Sequence, residues 1–184
     1  MLHEPIVAAE TRRITVMQGQ ARASATPGDV FTTVLGSCIA CCLFDPVLGI
    51  GGMNHFLLAE PAGKGGKHRV DEHYGAYLME LLINEMLALG AMKSRMKAHL
   101  YGGANMHAGM TKIGTANAEF AKRFLDQERI VIAHANMGGS DARRVDFMPA
   151  LGRARCRTVA AAAAPPVLPP APRAPRVTGD VELF

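Results

Sequence analysis

The chain contains no tryptophan, and aromatic residues make up only 5% of its 184 positions. A platform that stacks nucleic-acid bases on aromatic rings needs more than that. No apolar run approaches the roughly 20 residues of a membrane-spanning helix, and the alanine run from Ala160 to Ala164 stops at Pro165-Pro166. The Gly102-Gly103 and Gly138-Gly139 pairs lack the lysine and spacing of a phosphate-binding P-loop. Nor does a second C-x-x-C or a paired histidine supply four zinc ligands, so neither metal nor cofactor is expected.

Four cysteines are present, Cys38, Cys41, Cys42 and Cys156. The N-terminal stretch carries His3, Glu4 and Glu10 without a long apolar core, so no secretory leader is expected. The thiols are therefore read as reduced, in the cytoplasm.

What is plentiful is small and aliphatic. Apolar residues make up 49% of the chain, with eleven methionines, enough for one well-buried domain and too little length for two comfortable ones. The formal charge is +4, and much of the excess lies in the last third, at Arg153, Arg155, Arg157, Arg173 and Arg176. No groove-reading motif accompanies it, which favours a solvated basic surface over a nucleic-acid site and leaves an acidic protein surface as a candidate partner.

Residues 1–12 lack a clear period and read as a loose lead-in. Strands are expected at Ile14 to Val16, Val30 to Leu35, Ile39 to Phe44, Gly49 to Leu58, Ala98 to Tyr101, Ile130 to Ala133, Arg144 to Phe147 and Cys156 to Val159. Asp71 can cap a helix reaching Leu89, with Tyr74, Tyr77, Leu78, Leu81, Leu82 and Leu89 inward and Gly90 ending it. A second helix, about Gly114 to Asp126, turns Ala118, Ala121, Phe124 and Leu125 inward. The run from Glu60 to Arg69 reads as a loop. Six of the eleven prolines fall at positions 165–175, so residues 160–184 read as a disordered or polyproline-like tail. The expected fold is a single α/β layered domain over residues 13–159, with a mixed sheet flanked by helices and a strand-rich first half.

The most informative stretch runs from Thr32 to His55. Gly36-Ser37 forms a permissive turn before Cys38, which lets a backbone N–H approach a reacting carbonyl. Asp45-Pro46 then turns the chain, so a hairpin can bring Cys38 to His55. A thiol attacks mainly as the thiolate, and an imidazole can take its proton and return it to a leaving amine. If Ile39 to Phe44 is a strand, Cys42 shares the face of Cys38 while Cys41 points away, which disfavours a Cys38–Cys41 redox pair. The remaining histidines, His68, His73, His99, His107 and His134, have no evident partner and read as surface or structural.

Thr32, the Leu35–Cys38 box, the Asp45-Pro46 turn and the Gly51–His55 segment together resemble the chemoreceptor glutamine deamidases of bacterial chemotaxis, the CheD family. The similarity continues through Tyr101 to Met106, Ile113 to Asn117 and Gly138 to Arg143, and spans roughly Gln18 to Thr158. The resemblance implies a triad of Cys38, His55 and Thr32, the threonine orienting the histidine. A register error of one residue would put Thr33 in its place. It also implies that the glycine turns rim the site, with Asn105, Ser140 and Arg143 as candidate substrate contacts.

The expected reaction is hydrolysis of a protein glutamine side chain to glutamate, with backbone N–H groups near Gly36, Ser37 and Cys38 holding the oxyanion. By the resemblance, the substrates are glutamines on the cytoplasmic helical bundle of methyl-accepting chemotaxis receptors. Some hydrolysis of glutamate methyl esters follows, and a chemotaxis phosphatase of the CheC type is a candidate partner. No nucleic acid and no membrane insertion are expected. Two other readings stay open, a receptor-binding adaptor without chemistry and a thiol redox regulator.

Overall fold

The computed structural model describes residues 10–58, 71–106 and 113–159. Among these residues the apolar and β-branched runs form two sheets and two helices. One sheet holds Arg12–Thr15 (β1), Asp29–Leu35 (β3), Ala142–Met148 (β8) and Arg153–Val159 (β9), in the order β1-β3-β8-β9. The other holds Gln20–Ser24 (β2), Ile39–Asp45 (β4), Ile50–Phe56 (β5), Lys97–Gly102 (β6) and Val131–Met137 (β7), in the order β2-β5-β4-β6-β7. β1 with β3 and β6 with β7 run parallel, and the remaining pairs are antiparallel.

The helices Glu72–Ala88 (α1) and Ile113–Gln127 (α2) pack on one face of the five-stranded sheet. The four-stranded sheet packs on its other face. The expected α/β layering with mixed pairing is present, with the strands shared between two sheets. That division follows from β4, whose two faces are both apolar: Ile39, Cys41 and Leu43 face the helices, while Ala40 and Cys42 face the second sheet. A strand buried on both sides needs a layer on each. Cys42 thus shares the inter-sheet core with Cys38, and Cys41 faces the other way.

The helix signals hold with small shifts. The Asp71 side chain accepts the Tyr74 N–H at 3.2 Å, capping α1, and Gly90 ends it at φ 98°. The buried stripe is Gly75, Leu78, Met79, Leu82, Ile83 and Met86, so Tyr77 (57% exposed) and Leu89 (47% exposed), expected inward, face out. In α2 the inward set is joined by Asn117 and Phe120, while Ala118 is half-buried. β1 begins at Arg12, inside the expected lead-in, and β2 is a strand where none was expected. Gln-Ala-Arg-Ala-Ser has no β-branched or aromatic residue to mark it, and its strand conformation comes from pairing along β5. The expected loop at Glu60 to Arg69 and the expected tail at 160–184 lie outside the described residues, as do His68 and His107.

Candidate active site

Gly36-Ser37-Cys38 joins β3 to β4 as a turn whose three carbonyls are all tied off. Ala104 N–H donates to the Gly36 carbonyl at 2.9 Å, Asn117 Nδ2 to Ser37 at 2.7 Å and Gly103 N–H to Cys38 at 2.8 Å. Asn117 also accepts the Leu58 N–H at 2.9 Å, so one α2 side chain bolts the nucleophile turn to the end of β5. Gly102 permits the close approach. Its φ is 108°, and a Cβ there would lie 2.1 Å from the Cys38 carbonyl oxygen.

The β4–β5 hairpin forms as the Asp45-Pro46 signal requires. Asp45 Oδ1 accepts the Val47 N–H at 3.0 Å, and Asp45 Oδ2 binds the Met92 N–H and the Arg95 guanidinium. The register sets His55 opposite Ala40. Cys38 lies two residues from Ala40 on the same inter-sheet side, which makes it the diagonal neighbour of His55. Diagonal neighbours across a strand pair stand about 7–8 Å apart at Cα, and in this resting arrangement no hydrogen bond joins Cys38 Sγ to His55 Nε2. Both residues are buried, each with 6% of its surface exposed.

The hydroxyl beside the imidazole belongs to Thr33. Thr33 Oγ1 lies 2.9 Å from His55 Nδ1 and 2.9 Å from the Val16 carbonyl. Thr32 donates instead to Asp146 Oδ1 at 2.8 Å, on the far side of β3. The correction has a simple cause. Successive strand residues face opposite ways, and the inward set here is Phe31, Thr33 and Leu35, which puts Thr32 on the outer face.

This geometry selects a tautomer. The Thr33 hydroxyl has one proton, and the Val16 carbonyl can only accept it. Thr33 Oγ1 is then an acceptor toward His55, so Nδ1 carries the ring proton. The Val16 carbonyl, 3.4 Å from Nδ1, favours the same form. Nε2 is left with its lone pair, and it has no hydrogen-bond partner among the described residues. Nε2 therefore presents an acceptor lone pair inside the inter-sheet core.

Burial pushes the Cys38 thiol up to about 12, against the pull of its own backbone N–H. Burial likewise pushes His55 down to about 4, against the Val16 carbonyl. The resting pair is a neutral thiol and a neutral imidazole. Cys38 Sγ donates to Gln18 Oε1 at 3.4 Å.

The other candidates cluster at one end of the sheets. Asn105 N–H donates to the Gly139 carbonyl at 2.8 Å, and its Nδ2 donates to Thr115 Oγ1 at 2.9 Å. Arg143 is engaged with its own turn, donating to Asn136 Oδ1 and to the carbonyls of Gly138 and Asp141. Ser140 is exposed in that turn. His99 and His134 form a ring cluster with Phe44 and Tyr101, apart from His55. Among the described residues no group of three or more His, Cys, Asp or Glu could hold a metal ion, and no helix is long and apolar enough to cross a membrane.

Sequence reasoning passed over Val16, Gln18 and Asn117. Asn117 closes the motif that begins at Ile113, and a buried polar residue on an apolar helix face signals a satisfied contact. Gln18 could have been found through Gln18-Gly19, a turn dipeptide that brings the preceding strand back over the site.

The model of the family described as CheD chemotactic sensory transduction matches residues 57–158. A protein of Zymomonas mobilis named probable chemoreceptor glutamine deamidase CheD is 57% identical over 148 residues, covering 80% of this chain and 81% of that one. A Caulobacter vibrioides protein of the same name is 48% identical over 177 residues, covering 94% and 93%. A solved Neisseria meningitidis protein of the DUF152 family aligns over 71% of this chain and 63% of its own, at 11% identity and a TM-score of 0.41. With a family model over more than half its length and relatives this similar along most of it, the chain belongs to the CheD family.

Proposed function

We propose that this chain hydrolyses the side-chain amide of glutamine in chemoreceptors, with Cys38 as nucleophile, His55 as base and Thr33 as the group that orients the base. The relatives' printed names support the substrate. The observation that carries the chemistry is the unpartnered Nε2 of a buried His55 whose other nitrogen is held by Thr33, diagonal to a buried thiol.

His55 Nε2 takes the Cys38 proton as Sγ attacks the glutamine Cδ, and the carbonyl electron pair moves onto oxygen. The tetrahedral intermediate collapses with the proton delivered to nitrogen, so ammonia leaves and a thioester remains. A water molecule, losing its proton to the same Nε2, attacks the thioester and regenerates the thiol, giving glutamate. The resting neutral pair means that proton transfer accompanies attack. A glutamate methyl ester would pass through the same acyl-enzyme with methanol as the leaving group. A CheC-type phosphatase partner and residence in the cytoplasm belong to this reading through the family resemblance alone, as does a rim role for Asn105 and Ser140.

The test is incubation of a recombinant receptor cytoplasmic domain with the wild-type chain and with Cys38→Ala, followed by peptide mass mapping. The reading requires a shift of about one dalton at defined glutamines with intact Cys38 only. Receptor binding without conversion by the wild type would favour the adaptor instead.

A further inference from the structure

The segment Met17–Gln20 is a tight turn laid across the site. Gln20 N–H donates to the Met17 carbonyl at 3.0 Å, and Gly19 takes φ 84°, as the third position of a type II turn requires. Gly19 N–H donates to the backbone carbonyl of His55 at 2.7 Å, and a Cβ on Gly19 would lie 2.6 Å from the Tyr74 hydroxyl. The stretch of residues 16–20 therefore meets every member of the candidate triad: Val16 through Thr33 and His55, Gly19 through the His55 backbone, and Gln18 through the sulfur. Gln18 is half-buried, and its carboxamide is the side-chain polar group in contact with Sγ among the described residues.

We infer that Gln18 is a catalytic residue, whose carboxamide N–H supplies one of the two donors that hold the oxyanion. The inference rests on the proposed hydrolysis. In the resting state the thiol donates to Oε1. Once His55 holds that proton, the sulfur is an acceptor only, and the carboxamide meets it through Nε2 by turning about its last bond. The tetrahedral carbon must direct its nitrogen toward His55 Nε2, where the proton waits. Its oxygen is then left to the other N–H groups beside the sulfur, the backbone N–H of Cys38 and the Gln18 amide. No covalent bond to Gln18 forms or breaks.

The test pairs two reactions of the full chain. Deamidation of the receptor domain builds charge on a carbonyl oxygen, whereas alkylation of Cys38 by iodoacetamide displaces iodide and builds none there. Gln18→Ala is expected to lower the deamidation kcat by about 10²-fold, as removal of an oxyanion donor does, with KM and the alkylation rate changed no more than about threefold. Gln18→Glu, which keeps the shape but brings only acceptors, is expected to lose at least as much. Wild-type turnover by Gln18→Ala would overturn the inference, as would increased turnover, which would make Gln18 an occluding group. An equally large fall in alkylation would also overturn it, by showing that Gln18 acts on the thiolate or the turn and not on the oxyanion. A wild-type chain that converts no glutamine sinks the hydrolase reading along with it, so the two failures are told apart.

Discussion

Thr33 Oγ1 stands 2.9 Å from both His55 Nδ1 and the Val16 carbonyl, so a single hydroxyl proton decides which nitrogen of the histidine is basic. Thr33→Val keeps the shape and removes that control. It is expected to lower the deamidation kcat by about 10²-fold, the lower end of what a positioned base contributes, while Thr33→Ser retains most activity. Thr32→Val loses only the bond to Asp146, so its cost is expected in thermal stability, about 1 kcal/mol, with kcat near wild type. Steady-state kinetics on the three variants decide the assignment.

The pair also sets a pH dependence. His55 is held near 4, so kcat/KM should stay level down to about pH 5 and fall as His55 protonates below it. Cys38 is held near 12, so its alkylation by iodoacetamide should be slow at neutral pH and still be rising above about pH 10, where an ordinary thiol has levelled off. For stability the sign is that of a depressed histidine. The unfolded chain binds a proton below about 6.5 that the folded chain refuses until about 4, so stability is full above 6.5 and falls with pH across that window, by about 3 kcal/mol at most. Denaturant titrations at several pH values should show this acid loss reduced in His55→Gln.

Asn117 joins Ser37 to Leu58 through both ends of its carboxamide. Asn117→Asp can still accept the Leu58 N–H but cannot donate to the Ser37 carbonyl. It is expected to lose kcat through the loosened Cys38 turn and about 1–3 kcal/mol of stability for the orphaned buried groups. Asn105→Ala, which removes an exposed contact to Thr115, should leave stability within about 0.5 kcal/mol of wild type. Thermal unfolding beside turnover separates the two.

Gly102 and Gly138 both take positive φ, yet only one is crowded. Gly102→Ala drives a Cβ into the Cys38 carbonyl oxygen and should abolish activity or folding. Gly138→Ala meets nothing within 4 Å and should cost only about 1–2 kcal/mol of backbone strain. Equal tolerance of both substitutions would contradict the close approach.

Legibility in the sequence followed how local each signal was. Asp71 and Gly90 marked α1 because capping is a property of adjacent residues, and Asp45-Pro46 marked the hairpin for the same reason. The juxtaposition of Cys38 and His55 was legible because one hairpin joins them. That the hydroxyl beside His55 is Thr33's and not Thr32's was not legible, because strand parity can be read only once the buried face is known, and the face was set by β8 and β5 from outside the segment. Gln18 and Asn117 reach the turn across 20 and 80 residues of sequence, so their contacts exist only in the assembled fold.

Trapping an acyl-enzyme at Cys38 is the most direct test of the proposed hydrolysis. Hydroxylamine added during deamidation of the receptor domain should intercept the thioester, so mass mapping should find glutamate hydroxamate at the same glutamines that otherwise become glutamate, with neither product from Cys38→Ala. Conversion to glutamate with no hydroxamate at any hydroxylamine concentration, or conversion by Cys38→Ala, would contradict it.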